Sequence, residues 1–349
     1  MSEVATLIAA GYEHRGWTSV SVTRSIEAFS GSFQIALTER WPGESQIRPI
    51  PPGAGCTLLL GEDPVITGYV DDAEPSIDAT SHAVTIRGRD AAADLVDCSV
   101  RSNPGEWHNV DLMKITKDIV REFGIDSWAA VDVGKPFPSF RIQESETAYE
   151  AIERACRARA VMATSDGLGN LVITSALAAT RSNHGVAEGG NVKAATGRFS
   201  VRERFSSYTV KGHMAEFDQL SAAEIAGPKG EAFDPAVTRF RPMTLIAEDA
   251  GDNATFKDRA LWESVIRAGR AVRAEVTVAG WRDGGGDLWR PNTLIPCSLP
   301  SLGLDRTMLV SSVRFSQGEG GTETLLVLSH PDAFKLIELS DTEEEGLGW

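Results

Sequence analysis

Positive charge is in short supply. The 349-residue chain carries 34 Lys and Arg against 49 Asp and Glu, a formal net charge of −15. Such a chain repels phosphate backbones, which excludes general nucleic-acid binding without a local basic patch. Cysteine is sparse too. Cys56, Cys98, Cys156 and Cys297 are far apart and form no C-x-x-C pair, which argues against a zinc ribbon or a thioredoxin-like site. All four read as small buried hydrophobes in a reducing cytoplasm. No apolar run is long enough to span a membrane, so no membrane insertion is expected. Residues 1–11 hold Glu3 and no basic residue, a poor signal peptide.

Local catalytic motifs are missing as well. None of the six histidines (His14, His82, His108, His184, His213, His330) stands in H-E-x-x-H or within five residues of another. G-x-S-x-G and G-x-x-x-x-G-K-[ST] do not occur. Gly318-Glu319-Gly320-Gly321 joins two β-rich runs and precedes no helix, so it reads as a hairpin turn rather than a dinucleotide loop. No catalytic residue, cofactor or metal ligand is assigned, and the chain is expected not to be an enzyme.

What is present is β pattern. Hydrophobic residues make up 42%, enough for real cores, and the length suits two to three domains. Val20 and Val22 alternate with polar neighbours, as do Phe33, Ile35 and Leu37. Residues 56–60 and 65–70 predict a hairpin across Gly61-Glu62-Asp63-Pro64, and 82–87 a further strand. Asp90 reads as the N-cap of a short helix to Asp97. The period then changes. Asn109 is the candidate N-cap of a helix through Phe123, and Thr147-Ala148-Tyr149-Glu150 fits a capping box for a second helix. A hairpin follows over 161–174. Residues 205–212 read as a strand, 214–252 as an irregular insertion, and 253–270 as a helix with Phe256, Leu261, Trp262, Val265 and Ile266 apolar. A strand over 272–278 and two hairpins, turning at 283–287 and 317–321, finish the chain.

The order of elements repeats. Residues 55–60, 65–70 and a strand ending at Arg87-Gly88-Arg89-Asp90 are echoed by 292–297, 308–315 and a strand ending at Ser329-His330-Pro331-Asp332. We read a diverged, duplicated β module with an α+β unit between its copies. The expected division is a first β-barrel at 1–98, an α+β module at 99–186, a second barrel from 187–215 with 270–335, an insertion at 216–269, and an acidic tail at 336–349.

Asp71, Asp72 and Glu74, or Asp249 and Asp252, could be drawn as carboxylate pairs, but a solvated face explains them better among 49 acidic residues. Arg202, Arg204, Arg239 and Arg241 concentrate positive charge and suit salt bridges to a protein partner. Trp281 and Trp289 flank a glycine turn. They read as sugar-binding or interface aromatics, with core packing the competing reading.

With these pieces the sequence resembles the Mu-type baseplate hub proteins of contractile phage tails, a family related to the hub part of type VI secretion spikes. The carrying segments are Gly68-Tyr69-Val70-Asp71, Arg87-Gly88-Arg89-Asp90, Asp94-Leu95-Val96-Asp97-Cys98, Gly189-Gly190-Asn191-Val192, Arg259-Ala260-Leu261-Trp262-Glu263, Gly280-Trp281 and Leu288-Trp289-Arg290-Pro291-Asn292. The resemblance covers nearly the whole chain. It implies a mainly β fold with α+β parts, built on two similar antiparallel barrels. It implies a homotrimer joining a sixfold tail tube protein to a trimeric central spike protein among other baseplate proteins, with DNA passing only in transit. Under that reading Phe217, Phe233, Phe240, Trp281 and Trp289 are the candidate interface residues. The rival reading is a tail-associated glycan-acting hydrolase or carbohydrate-binding protein.

Overall fold

The structure, a computed structural model, describes residues 4–38, 50–77, 82–101, 105–212, 229–247 and 253–337. One sheet dominates it. Its strands run side by side as Val192–Phe199, Val272–Ala279, Gly321–Ser329, Leu304–Gly318, Ser19–Ser25, Ser32–Thr38, His82–Asp90, Asp63–Ile77, Gly55–Leu60, Ala5–Ala9 and Tyr12–His14. The alternation of Val20 and Val22, and of Phe33, Ile35 and Leu37, puts these side chains on one buried face. They share a core with Val276, Phe315, Leu326 and Leu328 from the far end of the chain.

The two β modules are therefore halves of one sheet. The joint is Leu304–Gly318 against Ser19–Ser25, antiparallel, with Phe315 opposite Val22 and Ser312 opposite Ser25. Among the described residues no ladder closes either half into a barrel, because the long Leu304–Gly318 strand pairs across to the other half.

The halves match in detail. Gly55–Leu60, Asp63–Ile77 and His82–Asp90 correspond to Thr293–Leu299, Leu304–Gly318 and Gly321–Ser329. Both central strands have 15 residues and both following strands have nine. Each central strand bulges at the same place: between Val70 and Asp72 in one, between Val310 and Ser312 in the other. A bulge bends a long strand and raises its twist, so its repetition marks a shared curvature. The hairpin turns are tighter than the sequence suggests. Leu60 pairs with Asp63 and Gly318 with Gly321, leaving two-residue turns, with Gly61 at φ 67°. The 283–287 turn closes only an isolated bridge, Arg282 to Leu288.

Between the halves lies the α+β unit. Helix Ala148–Ala158 starts at Thr147 with the capping box complete: Thr147 Oγ1 accepts from Glu150 N, and Glu150 Oε2 from Thr147 N. The helix at Leu112–Arg121 is capped by Asp111, which accepts from Lys114 N at 2.7 Å, and not by Asn109. Asn109 sits at φ 51°, the left-handed region, inside the Glu106–Val110 strand, whereas an N-cap needs extended backbone. Asp90 is likewise no cap. The helix is Ala93–Asp97, and the Asp90 carboxylate accepts from Gly31 N at 2.6 Å and Ala92 N at 3.1 Å.

The stretch read as irregular contains two strands. Lys229–Phe233 and Pro242–Ile246 flank Ser207–Lys211, and helix Asn253–Arg270 packs on them over Tyr208, Val210, Ala232, Phe256 and Ala260. Gly230 explains the close approach: a Cβ there would lie 2.0 Å from Lys257 N. Of the apolar residues of this helix, Leu261 is exposed.

Candidate assembly interface

The most exposed aromatic side chains lie on this small module. In Lys229–Phe233 the odd positions point outward, leaving Phe233 69% exposed, while Gly230 and Ala232 face the helix. Phe240, in the connection to the next strand, is 88% exposed. Phe217 lies outside the described residues.

Trp281 and Trp289 do not join them. Both are buried in the main core, and Trp281 Nε1 donates to Ser316 O at 3.0 Å. Neither therefore presents a ring to a sugar or a partner.

Behind the small module a cleft of about 440 Å³ gathers Arg198, Arg202, Arg204, Arg267, Arg270 and Arg273. Of the four arginines grouped by sequence, only Arg202 and Arg204 line it. Arg241 props the loop by donating to Arg202 O and Arg204 O, and Arg239 is exposed elsewhere. The other four come from the end of the Asn253–Arg270 helix and from two paired strands, segments too far apart in sequence to register as a cluster. Arg204 is held by Asp234 at 2.8 Å, Arg267 by Glu263 at 2.9 Å and Arg273 by Glu27 at 3.4 Å. Arg198 and Arg202 have no carboxylate partner among the described residues.

The acidic run on Asp63–Ile77 is ion-paired along its own ladder. Asp71 accepts from Arg89 at 2.7 Å, and Glu74 meets Arg87 at 2.5 Å. Asp249 and Asp252 lie outside the described residues. Among the described residues no group of three or more His, Cys, Asp and Glu side chains is placed to hold a metal ion. Cys98 is exposed, against expectation, while Cys56, Cys156 and Cys297 are buried.

One charged site was missed in the sequence. Where the first β half meets the α+β unit, the half-buried Arg24 donates to Asp166 O, and Asp90 lies beside it. Burial pushes the Asp90 carboxyl up to about 6, against the hydrogen bonds and the Arg24 charge that pull it down.

Two β halves on one sheet, an α+β unit, and a small sheet-and-helix unit bearing exposed aromatics make a modular, mainly β protein. Comparison with known proteins makes this specific. Residues 4–90 match the Mu phage baseplate assembly protein GpP-like N-terminal domain, 92–175 the baseplate hub protein gp44-like second domain, and 252–337 the GpP fourth domain. The baseplate hub protein gp44 of Escherichia phage Mu is 36% identical over 350 residues, covering 98% of this chain and 91% of that protein. The 43 kDa tail protein of prophage MuSo2 from Shewanella oneidensis superposes with a TM-score of 0.86 at 37% identity, over 96% of this chain and 100% of that one. At 10% identity the fold recurs in the E. coli c3393 protein, a type VI secretion component, with a TM-score of 0.59 over 95% of this chain and 79% of that one. The chain belongs to the Mu-type baseplate hub protein family.

Proposed function

We propose that the chain is the structural hub of a contractile-tail baseplate, a homotrimer that joins the sixfold tail tube to a trimeric central spike and encloses part of the DNA channel. The observation that carries this reading is the duplication. Two equivalent β halves in each of three chains make six similar units, which suit a sixfold tube on one side, while unduplicated parts repeat three times and suit a spike. The β halves then face the tube. The α+β unit, the small module with Phe233 and Phe240, and the acidic tail face the spike. Carboxylates lining the channel repel DNA in transit. The role is non-enzymatic, set in the virion baseplate and, during assembly, the host cytoplasm. The carbohydrate-binding alternative loses its support with Trp281 and Trp289 in the core.

Co-purification with tube and spike proteins, with mass by light scattering, tests this. Phe233→Ser with Phe240→Ser should keep the trimer and tube binding and weaken spike binding. Deleting 341–349 should do the same. A chain that stays monomeric with spike protein present, or a tail deletion that abolishes tube binding and spares the spike, refutes the arrangement.

A further inference from the structure

The joint within the chain specifies how one chain meets the next. Leu304–Gly318 has two jobs on one edge. Its residues 304–310 pair with Thr293–Leu299, and its residues 312–317 pair with Ser19–Ser25. The corresponding strand, Asp63–Ile77, does only the first job. Its residues 63–69 pair with Gly55–Leu60, but beyond the bulge the same edge of 72–77 has no partner strand among the described residues. The counterpart of Ser19–Ser25 likewise has one edge without a partner strand among the described residues. By sheet order that counterpart is Val192–Phe199, which ends the sheet with one edge open. Among the described residues one half lacks the partner that the other half has, and the strand equivalent to that partner lies at the far end of the sheet with one edge uncovered.

We propose that copies of this chain join by antiparallel pairing of residues 72–77 of one copy with Val192–Phe199 of the next, with Glu74 opposite Arg198. This rests on the ring reading above and gives it an interface.

The register follows from the ladders. The two bulges align Ser312 with Asp72, and hence Arg314 with Glu74. On the partner side, Val22 is opposite Phe33 and Phe33 opposite Gly88, while Gly197 is opposite Ala274 and Ala274 opposite Leu328. Val22 therefore corresponds to Gly197 and Thr23 to Arg198. Within the chain Arg314 is opposite Thr23, its Nε donating to Thr23 Oγ1 at 3.4 Å. Between chains the same position brings Glu74 against Arg198, opposite charges directly across an antiparallel pair.

The inward positions fit as well. Val313 and Phe315 are buried at the internal joint. Their counterparts and the next inward residue form the row Ala73, Pro75 and Ile77, with Ile77 72% exposed. The facing row is Phe199, Gly197 and Ala195, with Phe199 55% exposed. Phe199 meets Ala73 and Ile77 meets Ala195, a large side chain against a small one each time. Glu74 also guards this edge against unspecific pairing, since it places a charge there that an uncharged strand does not neutralise. Internal and external joints then alternate around a closed, heterologous ring.

Paired cysteines test the register. Glu74→Cys and Arg198→Cys are introduced together in the full chain, with the exposed Cys98 replaced by serine. Directly opposite residues have Cβ atoms about 4.5–5.5 Å apart, close to disulfide range, whereas diagonal neighbours are about 7–8 Å apart. Mild oxidation should give covalently linked dimers and trimers from the double variant and none from either single variant. Glu74→Cys with Thr196→Cys should link poorly. In otherwise native chain, Glu74→Arg should lower the trimer fraction about tenfold, and adding Arg198→Glu should restore it. A native trimer by light scattering in which Glu74→Cys and Arg198→Cys do not link, or link no better than the off-register pair, overturns the pairing and leaves the ring standing. Absence of any trimer overturns both. All three positions tested for linkage are exposed, and an unchanged thermal midpoint verifies that each variant folds.

Discussion

Ser311 holds in the second β half the place that Asp71 holds in the first. Each is the extra residue at its bulge, and each binds the side chain across the ladder at the same offset: Arg89 Nε donates to Asp71 at 2.7 Å, and Ser329 Oγ donates to Ser311 Oγ at 3.2 Å. The backbone device is shared and its chemistry has diverged with burial. Asp71 is a third exposed, whereas Ser311 is fully buried.

Swapping the two residues should therefore be asymmetric. Asp71→Ser removes a partly exposed ion pair and should cost at most about 1 kcal/mol. Ser311→Asp places a carboxylate in the core without a cation and should cost about 3 kcal/mol or more. Chemical denaturation of both variants measures the difference, and equal costs would contradict the burial argument.

Asp90 makes stability depend on pH with an unusual sign for a carboxylate. Its value is raised to about 6 in the folded chain, from 3.8. The folded state therefore binds its proton more tightly than the unfolded state. The contribution is fully present below about pH 4 and is lost as pH rises through about 6, a change on the order of 3 kcal/mol. Asp90→Asn should flatten that slope between pH 4 and 6, read from denaturation midpoints across the range.

The two buried tryptophans should respond differently to phenylalanine. Trp281→Phe strands the Ser316 carbonyl and should cost about 1 kcal/mol beyond the change in packing. Trp289 Nε1 is buried with no hydrogen-bond partner among the described residues, so Trp289→Phe removes an unsatisfied donor and should cost less. Thermal denaturation of each variant ranks them.

Thr147→Ala should lower stability by about 1 kcal/mol, because the capping box satisfies two backbone N–H groups at once. Thr147→Ser should recover most of it. The loss is read by denaturant unfolding followed by circular dichroism.

The β ladders and the capping box were legible because their signals are local: Val20 and Val22, or Thr147 and Glu150, sit within a few residues of each other. The small module was illegible for the opposite reason. The inward residues of Lys229–Phe233 are Gly230 and Ala232, which carry almost no hydrophobic signal yet are required by the helix lying on them. Asn109 and Asp111 are both good capping residues, and only the left-handed backbone at Asn109 decides between them. The arginine cleft draws on strands and a helix end far apart in sequence, so no window over the sequence collects it. Aromatic composition does not say which way the rings point: Phe233 and Phe240 are exposed, whereas Trp281 and Trp289 take the core-packing alternative.

The joint between the β halves also governs the order in which the molecule can be made. Ser312 Oγ donates to Arg24 O across 288 residues of chain. As the polypeptide leaves the ribosome, Ser19–Ser25 emerges first and its partner strand emerges almost last. Throughout nearly the whole of translation the first half presents an uncovered strand edge to the cytosol, a template for pairing with any extended segment nearby. Chains halted before residue 312 lack the strand that covers that edge and are expected to aggregate more readily than the full chain, so completion of the C-terminal half seals the N-terminal one.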